Sequence, residues 1–116
     1  MLITSCSHGK HLGNLIAKKL SQRHSELAVE KFPDDELLVR FKGDLKNKKV
    51  VLVQSFYNGI SDCIIEVILA ADTAMELGAK KVVLVAPYFP YLRQDKRFHK
   101  GESISQMAIA GLIDKY

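Results

Sequence analysis

Cysteine is scarce in this sequence. There are two, Cys6 and Cys63, and they form no CxxC. That excludes a disulfide framework and a cysteine-based metal site, and leaves two reduced thiols. Long apolar runs are also missing. None approaches the roughly 18 residues that a membrane-spanning helix needs. The opening residues, MLITSCS, carry no basic n-region, so they do not read as a signal peptide, and the cytoplasm is the expected compartment. Repeats, low-complexity tracts and internal linkers are absent. The one glycine-bearing loop near the N-terminus, GKHLG, fits neither GxGxxG nor the P-loop spacing. No second His or acid stands at a useful distance from His99, so no metal site is expected there.

What is present is ordinary in amount and uneven in placement. The chain has 116 residues, 47% hydrophobic and 26% charged, which suits one domain or a piece of one. Lys and Arg outnumber Asp and Glu by 17 to 13, a net charge of +4. The surplus is concentrated: Arg93, Lys96, Arg97 and Lys100 face only Asp95 across eight residues. Such a concentration points to an anionic ligand.

In order, residues 1–4 read as a first strand and 5–13 as a loop. A helix follows to about Ser21, with Leu12, Leu15, Ile16 and Leu20 at helical spacing. The loop could offer backbone N–H groups to a phosphate, or be a plain strand-to-helix turn. Residues 27–32 and 37–41 alternate imperfectly and read as two strands of a hairpin. Pro33-Asp34-Asp35-Glu36 between them, taken alone, is a solvated tip. The β-branched run 49–54 (KVVLVQ) suits a buried parallel strand. A helix follows, with Ser61 as its N-cap and Asp62 in its first turn. Ile64, Ile65, Ile68, Leu69, Ala71, Met75 and Leu77 are expected inward. Asp62, Glu66 and Thr73 are expected on a polar surface stripe. Gly78 should end this helix. Residues 81–86 (KVVLVA) form a second buried run. A capping box at Ser103–Gln106 should open a last helix, apolar through Met107, Ile109, Ala110, Leu112 and Ile113. This order gives an α/β fold with a mostly parallel sheet, helices around it, and a β-hairpin in the first third.

Residues 87–102, PYFPYLRQDKRFHKGE, stop building core at the end of a buried strand. Ligands in open α/β sheets sit outside the carboxyl ends of the strands. Arg offers a flat fork of donors for phosphate oxygens, Lys a point charge, and Gln94 a hydrogen bond to a base edge or phosphate. Tyr88, Phe89 and Tyr91 could stack on a purine or pack beneath the loop.

PYFPYLRQDKR followed by GESIS resembles a segment of the ribose-phosphate pyrophosphokinases (PRPP synthetases). So does FPDDELLVR at 32–40, where that family usually reads F-P-D-G-E. Gln54-Ser55, Asp62 and Glu66 fit the same pattern. The resemblance covers nearly the whole chain, with both motifs in family order and spacing. It implies a phosphoribosyltransferase-like (type I) domain, the N-terminal one of that enzyme, at residues 1–116. The C-terminal phosphoribosyltransferase-like domain would be absent. It also implies that Phe32, Asp34 and Glu36 hold the adenine and ribose of ATP, often in a neighbouring subunit's site. Arg93 and Gln94 would contact ATP, with Lys96 and Arg97 as further phosphate contacts. The implied reaction transfers diphosphate from ATP to ribose 5-phosphate, with Mg2+, and gives PRPP and AMP. The family's metal-binding His would lie beyond residue 116, so the chain by itself is expected to be inactive. Dimers that build hexamers are implied, with no membrane and no nucleic acid as partners.

Some positions depart from the family pattern. Asp35 stands where Gly is usual, Leu92 where Ala is common, Phe98 where many members carry an acid, and Ser103 where Pro is common. Two other readings compete: a non-catalytic associated or regulatory subunit of such a synthetase, and a nucleic-acid-binding module that uses the basic loop. The absence of a long basic face argues against the last.

Overall fold

The two β-branched runs pair side by side. β5 (Lys49–Val53) and β6 (Lys81–Val85) both read KVVLV and lie parallel, with Lys49 opposite Lys81 and Val53 opposite Val85. The computed structural model describes residues 1–116. β1 (Leu2–Ser5) flanks β5 on its other side, also parallel, and β2 (Arg23–Glu26) extends the sheet beyond β1. The sheet order is β2-β1-β5-β6.

Strand alternation sends side chains to two cores. Leu2, Cys6, Val50 and Leu52 join the larger one, which includes the buried residues of α2 (Ile60–Glu76). Ile3, Val51 and Val53 join the smaller one with Ala17 of α1 (Lys10–Lys19). The sheet is therefore covered on both faces, as its uninterrupted apolar runs require. The hairpin of β3 (Ala28–Lys31) and β4 (Leu37–Arg40) is a separate antiparallel pair. It packs on α2.

β2 was not expected. Arg-His-Ser-Glu has no apolar run, and an edge strand needs only a backbone ladder on one side. Leu2 lies opposite Arg23 and Ser5 opposite Glu26, and the Leu27 N–H donates to the Ser5 carbonyl at 2.9 Å. The parallel crossovers are thus β1-α1-β2 and β5-α2-β6. The expected hairpin strands at 27–32 and 37–41 are each trimmed to four residues.

Helix boundaries differ from the sequence reading in three places. α1 stops at Lys19, and Ser21 turns the chain with φ +50. α2 opens at Ile60 behind Gly59, φ +74, with no side-chain cap, so Ser61 is not the N-cap. α3 (Ser105–Asp114) has Ile104 at its N-cap, and the expected box does not form. The Ser103 and Ser105 hydroxyls bond each other at 2.6 Å instead. Gly78 does end α2, with φ +82. The Gly78 N–H donates to the Met75 carbonyl and the Ala79 N–H to that of Ala74, both at 3.0 Å, a Schellman ending.

The inward face of α2 is also different. Cys63, Ile64, Glu66, Val67, Ala70, Ala71 and Ala74 are buried, while Ile65, Met75 and Leu77 are about half exposed. Leu15 of α1 and Leu20 just beyond its end are likewise exposed, and Gly13 and Ala17 are buried. α1 approaches the sheet through Gly13 and Ala17, which permit close backbone contact, while α2 buries Ile64 and Val67 beside its alanines. α3 buries no residue fully. Ile109 and Tyr116 touch the main core. An apolar cleft of about 450 Å³ lies between α3, α2 and the β6 edge. No helix is long and apolar enough to cross a membrane.

Candidate functional site

β1 leads through α1 to β2 on one side, and β5 leads through α2 to β6 on the other. The strand order therefore reverses between β1 and β5. Outside the carboxyl ends of strands at such a reversal, open α/β sheets form a ligand crevice. Three connections meet at this end of the sheet: 6–9, 54–59 and 86–104. The hairpin lies against α2 beside them.

The hairpin tip is tightly made. The Phe32 N–H donates to the Glu36 carbonyl and the Asp35 N–H to the Phe32 carbonyl, both at 2.9 Å. Asp35 sits at φ +70, the left-handed region that glycine favours. Asp35, where the resembled family usually has Gly, thus takes a backbone conformation that suits glycine. Lys31 braces the tip through ion pairs to Asp35 at 3.2 Å and to Asp62 of α2 at 3.0 Å. The Asp62 hydrogen bond, and then that of Asp35, pushes the Lys31 ammonium above its ordinary value. Phe32, Asp34 and Glu36 all stand exposed. Phe32, 49% exposed, is a large aromatic left open beside two carboxylates.

In the loop after β6, Arg93, Gln94, Lys96 and Arg97 are exposed. None of the four cations between Arg93 and Lys100 belongs to any of the chain's ion pairs. The loop is instead shaped from within. Glu102 accepts hydrogen bonds from the Phe98 and His99 N–H groups, and Arg97 Nε donates to the Glu102 carbonyl at 2.7 Å. Tyr91 adopts φ +63. Pro90 is buried, Tyr91 packs on the core, and Phe89 meets the buried Phe56 ring at 5.9 Å. Two of the three candidate stacking rings thus support the loop, and Tyr88 remains exposed.

Gln94 and Lys96 line a cavity of about 460 Å³ with Phe98, His99, Glu102 and Ser103. The hairpin-tip residues Phe32, Asp34 and Glu36 line no cavity with them. No three His, Cys, Asp or Glu side chains are grouped to hold a metal ion.

Between the hairpin tip and the basic loop lies a cluster that the sequence reading placed wrongly. Glu66, expected on a surface stripe, is 2% exposed. It accepts hydrogen bonds from the Ser7 N–H at 2.7 Å, the Ser7 hydroxyl at 2.6 Å and Gln54 Nε2 at 3.3 Å. Gln54, fully buried, accepts from the His8 N–H at 2.9 Å. The His8 ring stacks on Tyr57 at 4.4 Å, and its Nδ1 lies 3.3 Å from Cys63 Sγ. Burial raises both thiols above their ordinary value, with the Glu66 charge adding to each. The available signal was a single acid flanked by Ile64, Ile65, Val67 and Ile68, a setting that a surface stripe does not supply.

The GKHLG segment proves to be a packing device. A Cβ at Gly9 would fall 1.8 Å from the Val53 carbonyl oxygen, and one at Gly13 2.0 Å from Ser5 Oγ. Both glycines bring α1 close to the sheet.

Residues 1–116 match the family described as the N-terminal domain of ribose phosphate pyrophosphokinase. The chain is 34% identical over 113 residues to a ribose-phosphate pyrophosphokinase of Methanopyrus kandleri, covering 97% of this chain and 38% of that protein. It is 38% identical over 112 residues to one of Pyrococcus furiosus, covering 95% and 38%. It thus spans about two fifths of the length of these relatives. Among solved structures, phosphoribosylpyrophosphate synthetase from Mycobacterium smegmatis superposes with TM-score 0.89 at 24% identity, over 98% of this chain and 39% of that one. A purine phosphoribosyltransferase from Pyrococcus horikoshii superposes at 0.55 and 20% identity, over 73% and 58%. These likenesses carry the phosphoribosyltransferase-like fold. With the family match over the whole chain, they establish that this chain belongs to the N-terminal domain family of the ribose-phosphate pyrophosphokinases.

Proposed function

We propose that residues 1–116 hold the nucleotide in a ribose-phosphate pyrophosphokinase. In that reaction the 1-hydroxyl oxygen of ribose 5-phosphate attacks the β-phosphorus of ATP. The bond from that phosphorus to the α,β-bridging oxygen breaks, the hydroxyl proton leaves, and PRPP and AMP result. Such transfers depend on in-line positioning and on cations that offset charge on the transferred group. Arg93 and Gln94 bind ATP, and Lys96 and Arg97 add charge along its phosphates. Phe32 lies against the adenine, while Asp34 and Glu36 hold the adenine and ribose. The observation that carries this reading is the unpaired cationic run beyond β6 in a chain of this family.

A second copy would bring its own hairpin tip to the basic loop, as the family resemblance implies. The oligomer proposed is a dimer that builds a hexamer, working in the cytoplasm. Mg2+ would supply charge neutralisation to the transferred diphosphoryl group.

The test is ATP titration of the chain, followed by calorimetry and by amide signals near Arg93 and Phe32. Arg93→Ala should weaken binding about tenfold or more, because a charge-assisted hydrogen bond contributes roughly 1.5–3 kcal/mol. With ribose 5-phosphate, ATP and Mg2+ supplied, the chain alone should make no PRPP. Unchanged ATP affinity in Arg93→Ala would refute the assignment.

A further inference from the structure

The buried cluster around Glu66 has no part in the contacts assigned above. It sits where the strand order reverses. Two successive amides of the β1–α1 connection, those of Ser7 and His8, are bonded by side chains from α2 and from the end of β5. The segment that supplies those side chains, 54–66, also seats both halves of the site. Phe56 lies beneath the basic loop through Phe89. Asp62, one turn before Glu66, holds Lys31 of the hairpin. Tyr57 stacks on His8.

We propose that Glu66 is a positioning residue of the nucleotide site: its buried carboxylate, acting through Gln54, fixes the 54–66 segment on which the hairpin tip and the basic loop both rest. This rests on the nucleotide-binding reading. The chemistry is specific to a carboxylate, because Ser7 N–H, the Ser7 hydroxyl and Gln54 Nε2 all donate to it. An amide at position 66 has nearly the same shape but turns one acceptor into a donor. Facing that NH2, the Gln54 NH2 keeps only the Ser7 hydroxyl oxygen, 3.4 Å away, as acceptor, or its amide reverses and its Oε1 leaves the His8 N–H; both loosen the 54–66 segment. A side chain that merely filled space would tolerate the change.

The converse exchange restores the His8 bond, with the Ser7 hydroxyl turning to donate to position 54, whose side chain lies 3.4 Å away. In Q54E/E66Q the carboxylate at position 54 accepts from the His8 N–H and from the amide at position 66. The oxygen of that amide in turn accepts from the Ser7 N–H. Charge and volume are unchanged, so the exchange isolates the direction of the hydrogen bonds between positions 54 and 66.

The experiment compares the native chain, E66Q and Q54E/E66Q, by amide hydrogen exchange at Ser7 and His8 and by ATP calorimetry. E66Q should speed exchange at His8 and lower ATP affinity, each about tenfold, the effect of losing roughly one net hydrogen bond. The double variant should recover both to within about threefold. Native ATP affinity in E66Q, or a double variant as weak as E66Q, overturns the proposal. Should the native chain bind no ATP, the nucleotide reading falls. Glu66 is then judged by the signals of Lys31 and Phe89, which E66Q must shift and the double variant restore. Should E66Q not fold, Ser7→Ala, which deletes one donor and keeps the carboxylate, must show the same changes at smaller size.

Discussion

Cys6 shows how a residue's surroundings set its chemistry. Burial pushes its thiol far above the ordinary 9.0, and the Glu66 charge adds to this. The folded chain therefore keeps a proton that the unfolded chain releases near pH 9. The stability this contributes is fully present below that pH and falls as the pH rises past it. The urea midpoint should decline between about pH 8.5 and pH 10.5, and Cys6→Ala should flatten much of that slope while lowering stability at neutral pH. A midpoint with the same alkaline slope in Cys6→Ala would remove Cys6 as the cause. Glu66 makes the complementary point. Composition counts it among the surface acids, but a carboxylate with three donors around it is satisfied inside. Nothing in the residues beside it reveals those partners, because Ser7 lies 59 positions away.

Among elements, α1 illustrates contact set by the absence of a side chain. Gly9 has φ −104, which any residue can adopt, so its identity is fixed by space alone. Gly9→Ala would drive a Cβ into the Val53 carbonyl, a backbone group in a central strand. The expected cost is about 3 kcal/mol, seen as a fall in Tm of roughly 10 °C. A variant within about 2 °C of native would show that α1 can shift away freely. Ala70, Ala71 and Ala74 of α2 follow the same logic, since small residues let the helix lie close to the sheet. Ile65 and Met75 lie off the buried face, which runs at helical spacing through 63, 64, 67, 70, 71 and 74, although apolar counting put them inward. The hairpin, by contrast, was readable from alternation and from Pro-Asp at its tip. Its attachment to α2 through Lys31 and Asp62 was not, because an ion pair between distant residues leaves no local pattern.

For the whole molecule, the open side is the one formed by β6 and α3. β6 has a neighbour on one side only, and its valines are partly exposed. Met107 is 69% exposed and Leu112 53%. Apolar surface of this kind beside an unpaired strand edge favours association. Sedimentation should show mass rising with concentration. M107K/L112K should reduce that rise without lowering Tm, since neither side chain is buried. A chain that stays monomeric at every concentration would refute this.

Local pattern was enough for the fold class, the two central strands, the hairpin and the location of the cationic loop. These follow from periodicity and charge along the chain, which depend only on neighbouring residues. Tertiary structure was needed to make Arg23–Glu26 a strand, to bury Glu66, and to bring the buried faces of α1 and α2 against the sheet. It also made 54–66 the link between the hairpin and the basic loop. Each of these depends on backbone ladders, hydrogen bonds or close packing between residues far apart in the chain, and such pairings arise only once the chain has closed on itself.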